Sequence, residues 1–356
     1  MESFLIDEKE LSEYMEIAEI QATHITGKIL SPLEENIKNL RDYFHELGYQ
    51  PLFEKLPAQA YPHKIHLIPV SEIKSENKSW LSSNFINLIL FIATVFTTLL
   101  IGAINRGGNP FSQFKDFALG IPFSFSLLVI LGGHELGHYF ISRHYGVSVT
   151  LPYFLPIPHP LVGTMGAFIR IKSMLPNRRA LLRIGVAGPI VGFLISLPIT
   201  IVGIAHSQIS QIIETDHQIR LGVPLLFKFL TFIFHRNIPE GFDLVLSPMA
   251  FAGWLGLFVT ALNLIPAGQL DGGHIAYALL GKHRKIVTVL LIPLMAGLGV
   301  LWPGWFFWIF LILIIGLRHP QTQDDITPLR TSDKVLVIFA LLIMVCSFTP
   351  NPFPIK

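Results

Sequence analysis

The chain has a single cysteine in 356 residues, Cys346, which rules out a disulfide framework or a cysteine metal site within it. Charge is also scarce: 14% of residues are Asp, Glu, Lys or Arg, 51% are hydrophobic, and the mean hydropathy is +0.55. A soluble globular domain carries roughly a quarter charged residues. The shortage excludes that class and points to a polytopic membrane protein. The opening MESFLIDEKELSEY lacks a basic n-region and an apolar h-region, so no cleaved secretory signal is expected. There is no internal repeat and no low-complexity tract, and no nucleic-acid partner is expected.

The charge that is present is uneven. Residues 1–80 hold 14 of the 24 acidic residues and 8 of the 26 basic ones, so an acidic head precedes a basic body. In the head, SPLEENIKNLRDYFHELG predicts a helix opened by Ser31 and closed by Gly48, and KIHLIPV predicts a strand. The expected organisation is a small α+β soluble domain over 1–82 and an all-α membrane domain over 83–356. Apolar segments of near-spanning length fall at about 85–103, 118–142, 182–205, 247–264, 286–301, 303–317 and 334–349. About six to seven transmembrane helices are expected, with pairing of the two short segments between 286 and 317. The stretch LGVPLLFKFLTFIFH is too short to span and predicts an interfacial or re-entrant helix. Arg143, Arg170, Lys172, Arg178, Arg179 and Arg183 in one loop, and Lys282, Arg284 and Lys285 in another, place both on the cytoplasmic side. The loop from 206 to 246 also carries Glu214, Asp216, Glu240 and Asp243, which suits the opposite side. The N-terminus is therefore expected in the cytoplasm, and the protein in an inner or plasma membrane.

Within this apolar body, LGGHELGHYF at 131–140 follows 14 residues without a charged side chain. Ionisable groups at membrane depth are costly and mark function by default. Residues four apart share a helix face, so His134 and His138 can direct imidazole nitrogens at one metal ion, with Glu135 near enough to reach a water on it. Two neutral imidazoles and an open position suit zinc. Gly132, Gly133 and Gly137 leave little side-chain bulk on this helix, and a substrate backbone is expected to come close there. The plain alternative is a chance H-E-x-x-H whose histidines are satisfied by neighbouring carbonyls.

A third ligand is needed, and FVTALNLIPAGQLDGGH at 258–274 offers one. Pro266, Gly268, Gly272 and Gly273 break an apolar helix between Asn263 and Asp271, and irregular backbone at that depth must line a cavity or be buried in protein. Asp271 can complete a His, His, Asp set or cap the helix that follows it. His274 competes for the third position, His144 reads as interfacial, and His159 as a loop residue.

These pieces together resemble the site-2 protease family of intramembrane zinc metalloproteases. HELGH at 134–138, GTMGA at 163–167, GVAGP at 185–189 and NLIPAGQLDGGH at 263–274 carry the resemblance, in that order, over roughly 85–320. It implies one zinc per chain held by His134, His138 and Asp271, with Glu135 as catalytic base and Asn263 binding substrate or stabilising the transition state. It also implies cleavage within the membrane span of a single-span client protein, often after another protease has trimmed it. No PDZ-like insert is apparent. The soluble head and LPYFLPIP look more like the branch found in bacteria and plastids.

A zinc transporter or a non-catalytic membrane chaperone on the same fold is the alternative. A transporter needs ionisable groups on both sides of the site, and residues 118–133 have none. An inactive relative would usually lose Glu135. One further expectation concerns AFIRIK at 167–172, which follows Gly163 and Gly166 and alternates apolar and basic residues like a strand. Through Ile169 and Ile171 it is expected to offer an edge to which an unwound client adds.

Overall fold

The computed structural model describes residues 6–21, 23–57, 60–72, 84–157, 159–211, 220–315 and 321–354. The boundary expected near residue 82, Glu214 and Asp216, and the end of the 303–317 segment lie outside those residues.

The head begins with a one-turn helix, α1 (Glu8–Leu11), and contains β1 (Met15–Gln21), β2 (His24–Ile29), α2 (Leu33–Glu46), β3 (Tyr49–Lys55) and β4 (His63–Pro69). Its strands form one antiparallel sheet in the order β1-β2-β4-β3. The register pairs Ile25 with Ile65 and Ile65 with Phe53, so all three side chains enter the same core. Ile37, Leu40 and Phe44 recur at helical spacing on α2 and cover that face. The predicted helix is present, but Ser31 does not open it. Pro32 occupies the cap position and no side chain bonds the first amides. Gly48, with φ of +81°, ends it as expected.

The body contains α3 (Asn84–Ile104), α4 (Ile121–His144), a hairpin of β5 (Tyr153–Pro156) and β6 (Thr164–Phe168), and α5 (Arg178–Ala205). A second hairpin, β7 (Gln208–Gln211) and β8 (Phe242–Val245), encloses α6 (Leu225–Phe234) in sequence. Then follow α7 (Pro248–Asn263), α8 (Asp271–Leu280), α9 (Arg284–Leu298), α10 (Gly304–Ile315) and α11 (Thr331–Ser347). Among the described residues, three stretches are long and apolar enough to cross a membrane: Asn84–Ile104, Phe114–His144 and Arg178–Ala205. Leu225–Phe234, Pro248–Asn263, Ile286–Leu298 and Gly304–Ile314 are apolar but shorter. The body is thus mostly helical with small β elements, and α5 lies at its centre against α4, α7 and α8.

Head and body are joined by the segment between α10 and α11. The Phe53 amide on β3 donates to the Gln323 carbonyl at 2.8 Å, and the Asp325 amide donates to the Phe53 carbonyl at 3.0 Å. This segment runs parallel to β3 at the sheet edge, and Ile326 is buried in the head's own core. Glu34 of α2 adds ion pairs with Arg179 at 3.0 Å and Arg330 at 3.3 Å. The Arg179 guanidinium holds the Glu34 carboxyl below the usual carboxylate range.

Candidate metal centre

Helical geometry lifts His138 about 6 Å above His134 on the same face of α4. Both rings turn inward with the adjacent Glu135, and all three residues are buried. Across from them α7 stops at Asn263, the chain turns through irregular backbone, and α8 starts at Asp271. The turn is tight: a β-carbon at Gly272 would collide with the Leu264 carbonyl, and one at Gly273 with the carbonyls of Gly268 and Ala267. Gly268 has φ of +56°. The PAGQLDGG composition is therefore what brings Asp271 to the histidines.

The Asp271 carboxylate does not cap α8. Its oxygens lie 3.2 Å from His134 Nε2 and 3.2 Å from His138 Nε2, and the two imidazole nitrogens are 3.1 Å apart. Ligands at about 2.0–2.1 Å from a tetrahedral zinc stand roughly 3.3 Å from one another, so these three donors fit one such ion. They are also the group of His, Cys, Asp and Glu side chains among the described residues that could hold a metal. On its other side, His138 Nδ1 is 2.7 Å from the Ile184 carbonyl. A carbonyl can only accept, so Nδ1 carries the proton and the Nε2 lone pair faces the site. Asn263 completes the surroundings, its side-chain amide 3.3 Å from His134 Nε2.

Glycines of α5 make room for the rings. A β-carbon at Gly188 would overlap the His138 imidazole, and one at Gly192 would sit 3.1 Å from His134 Nδ1. Gly185, one turn earlier, packs against His274 and the Asp271 carbonyl. His274 therefore lies beside α5 rather than in the donor set. GVAGP was legible as a motif, but its role as a cradle was not; the four-residue spacing of Gly188 and Gly192 was the available signal. The expectation that Gly133 and Gly137 admit a substrate backbone is overturned. A β-carbon at Gly137 would stand 2.8 Å from the Ala187 carbonyl, and one at Gly133 would strike Ile195, so α5 fills that face. Small residues here serve helix packing.

The strand expected at 167–172 is divided. Regular pairing covers β5 and β6, with Tyr153 opposite Phe168 and Phe154 opposite Ala167. Gly163 precedes β6, and Gly166 lies inside it, with φ of +77° and +100°. Arg170 and Lys172 pair instead with 148–150: the Thr150 amide donates to the Arg170 carbonyl and the Lys172 amide to the Ser148 carbonyl, while Ile171 bridges Val149. The interruption falls at Ile169, after Gly166, and exposure still alternates through 167–172: Ala167, Ile169 and Ile171 are half-buried, while Phe168, Arg170 and Lys172 are exposed. Between the two pairings, the Ile169 amide is a hydrogen-bond partner of the Glu135 carboxylate. Among the described residues β6 pairs with β5 alone. His159 sits in the loop of this hairpin, and His144 stands at the end of α4 beside Tyr145.

A buried pair of histidines, a facing aspartate and a neighbouring glutamate inside a helical membrane body define a class. Residues 122–297 match the model of peptidase family M50. The membrane body of the chain belongs to that family, the site-2 proteases. Among curated relatives, "Probable zinc metalloprotease EGY2, chloroplastic" of Oryza sativa subsp. indica is 30% identical over 280 residues, covering 74% of this chain and 49% of the relative. "Probable zinc metalloprotease EGY1, chloroplastic" of Arabidopsis thaliana is 31% identical over 243 residues, covering 67% and 44%. The chain spans about half the length of the curated relatives it matches. No solved structure matches it.

Proposed function

We propose that this protein is a zinc metalloendopeptidase that cleaves single-span client proteins within or at the edge of the lipid bilayer. The convergence of His134, His138 and Asp271 beside Glu135 carries this reading, and the zinc metalloprotease names of its relatives support it. His134, His138 and Asp271 hold one zinc. Bound there, zinc supplies Lewis acidity, polarising a peptide carbonyl and making water nucleophilic near neutral pH. Glu135 accepts the proton of the attacking water and returns it to the leaving amine. The Ile169 amide orients that carboxylate, and the Asn263 amide donates to the oxygen on which charge develops.

A helical client must be unwound before its carbonyls can be attacked, and its freed backbone must then be paired. The open edge of β6, continued by Ile169 beside Glu135, is suited to receive it as an added strand, with Gly163 and Gly166 shaping the approach. The protein crosses an inner or plasma membrane six to seven times with its N-terminus in the cytoplasm, and an upstream protease trims the client first. The zinc transporter alternative is disfavoured by the apolar run 118–133, and the chaperone alternative by Glu135.

The test is a cleavage assay of purified, metal-analysed protein on single-span substrates, wild type against Glu135→Gln. Cleavage by wild type alone is expected. Equal cleavage by both would remove the proposed chemistry.

A further inference from the structure

Asp325 faces two ways. Its amide donates to the Phe53 carbonyl on the head's edge strand, and its carboxylate accepts the Tyr277 hydroxyl of α8 at 2.7 Å. Tyr277 lies six residues along the same ten-residue helix that begins with Asp271. That helix is short and stands between irregular backbone and a left-handed Gly281 with φ of +55°. Nothing in its own length sets how far it slides toward α4, so lateral ties must do so.

Several ties converge on its C-terminal half. Arg178 donates from its guanidinium to the Ala278 carbonyl, while its own amide donates to the Asp324 carbonyl at 3.4 Å. The Gln323 amide donates to the Leu175 carbonyl at 2.8 Å, and Thr322 Oγ1 donates to the other Asp325 oxygen at 2.7 Å. The Arg284 guanidinium lies over the Tyr277 ring, 5.5 Å from its centroid. Residues 322–327 thus form a strap, bonded on one side to the head and on the other to the segment leading into α5. The Asp324 carboxylate stiffens it by accepting from the Ile326 and Thr327 amides at 2.8 and 2.9 Å. Ile326, inserted into the head's core, prevents the strap from shifting without disturbing the head.

We infer that Tyr277 and Asp325 are positioning residues for the metal ligand Asp271: the head, through the strap, seats α8 so that the Asp271 carboxylate meets both imidazoles. The inference rests on the metal centre proposed above. It makes the head part of the site's geometry although, among the described residues, the head's ties to the body run through the strap, Arg179 and Arg330 and not through the donors. By linkage, whatever seats the strap strengthens metal binding, and metal binding steadies the strap to the same degree.

The experiment titrates zinc into full-length protein against a chromophoric chelator and follows amide hydrogen exchange at 322–327 with and without zinc. Tyr277→Phe and Asp325→Ala should each weaken zinc binding about ten-fold, the lower end for lost outer partners of a metal site. The double variant should be no weaker than Asp325→Ala alone, because Tyr277→Phe removes a bond that Asp325→Ala already breaks. Asp325→Asn retains an acceptor oxygen and should recover most of the affinity. Zinc should slow exchange of the Asp325 amide in wild type and not in Tyr277→Phe. Wild-type affinity in either single variant, additive losses in the double variant, or strap exchange insensitive to zinc in wild type would each overturn the inference. These readouts are independent of turnover. A wild type that binds zinc but cleaves nothing would sink the peptidase reading and leave the positioning test intact.

Discussion

Gly188 lies so close to His138 that a β-carbon there would occupy the space of the imidazole. The ring cannot retreat, since its Nδ1 is fixed by the Ile184 carbonyl at 2.7 Å. Gly188→Ala should therefore displace Nε2 from the donor triangle and lower zinc affinity by at least about ten-fold, within the range for disturbed outer contacts. Metal content after dialysis against a weak chelator measures it. Full occupancy in the variant would mean that the two helices separate at little cost.

Asp271→Ala and Glu135→Gln should fail in different ways. Removing Asp271 leaves two histidines facing a gap, and bound zinc should fall well below one per chain. Glu135→Gln keeps all three donors but cannot take a proton, so zinc should remain while hydrolysis drops by about 10² to 10⁴. Turnover and metal content must be read on the same sample. Undiminished zinc without Asp271 would exclude it as a ligand.

Proline at 169 removes the amide that the Glu135 carboxylate uses. Ile169→Pro should depress cleavage at least about ten-fold with zinc retained, because both the orientation of Glu135 and the continuation of the β6 edge are lost. Ile171→Pro should do less, since Ile171 lies at the separate pairing with Val149. The comparison is kcat on one single-span substrate; equal, wild-type rates in both variants would remove this segment from catalysis.

Acid should loosen the head. His63 is buried, its Nδ1 accepts the Ile29 amide at 2.9 Å, and burial together with nearby Lys55 holds its pKa below the ordinary 6.5. A histidine with a depressed folded pKa contributes stability that is present above 6.5 and is lost as pH falls through the folded value. Thermal unfolding of the head should therefore weaken progressively below about pH 6.5. In His63→Leu, stability should be lower at pH 7 and flatter between pH 7 and 5. A wild-type curve as flat as the variant's would assign the acid sensitivity elsewhere.

Much of the centre was legible because it is local. The four-residue spacing of His134 and His138 defines a common helix face, and an apolar stretch before them makes their burial informative. The break at Pro266, Gly268, Gly272 and Gly273 announced a carboxylate on irregular backbone. The alternation at 167–172 is present in the structure, with Ala167, Ile169 and Ile171 half-buried and Phe168, Arg170 and Lys172 exposed, although pairing with 148–156 is interrupted at Ile169. The glycines at 133 and 137 misled: composition shows where bulk is missing, not which neighbour fills the space.

The sequence by itself determined the helix faces, the apolar lengths, the break before α8 and the pairing of His134 with His138 on one face, since all of these follow from periodicity and backbone propensity within a few residues. Tertiary structure alone decided that Asp271 turns to the histidines instead of capping its helix, that Ile184 holds His138 and Gly188 makes room for it, and that residues 322–327 enter the head. Asp271 is 137 residues from His134, and the strap is some 270 residues from β3. Contacts across such separations depend on which faces remain to be buried once the whole chain has packed, and no local pattern encodes that choice.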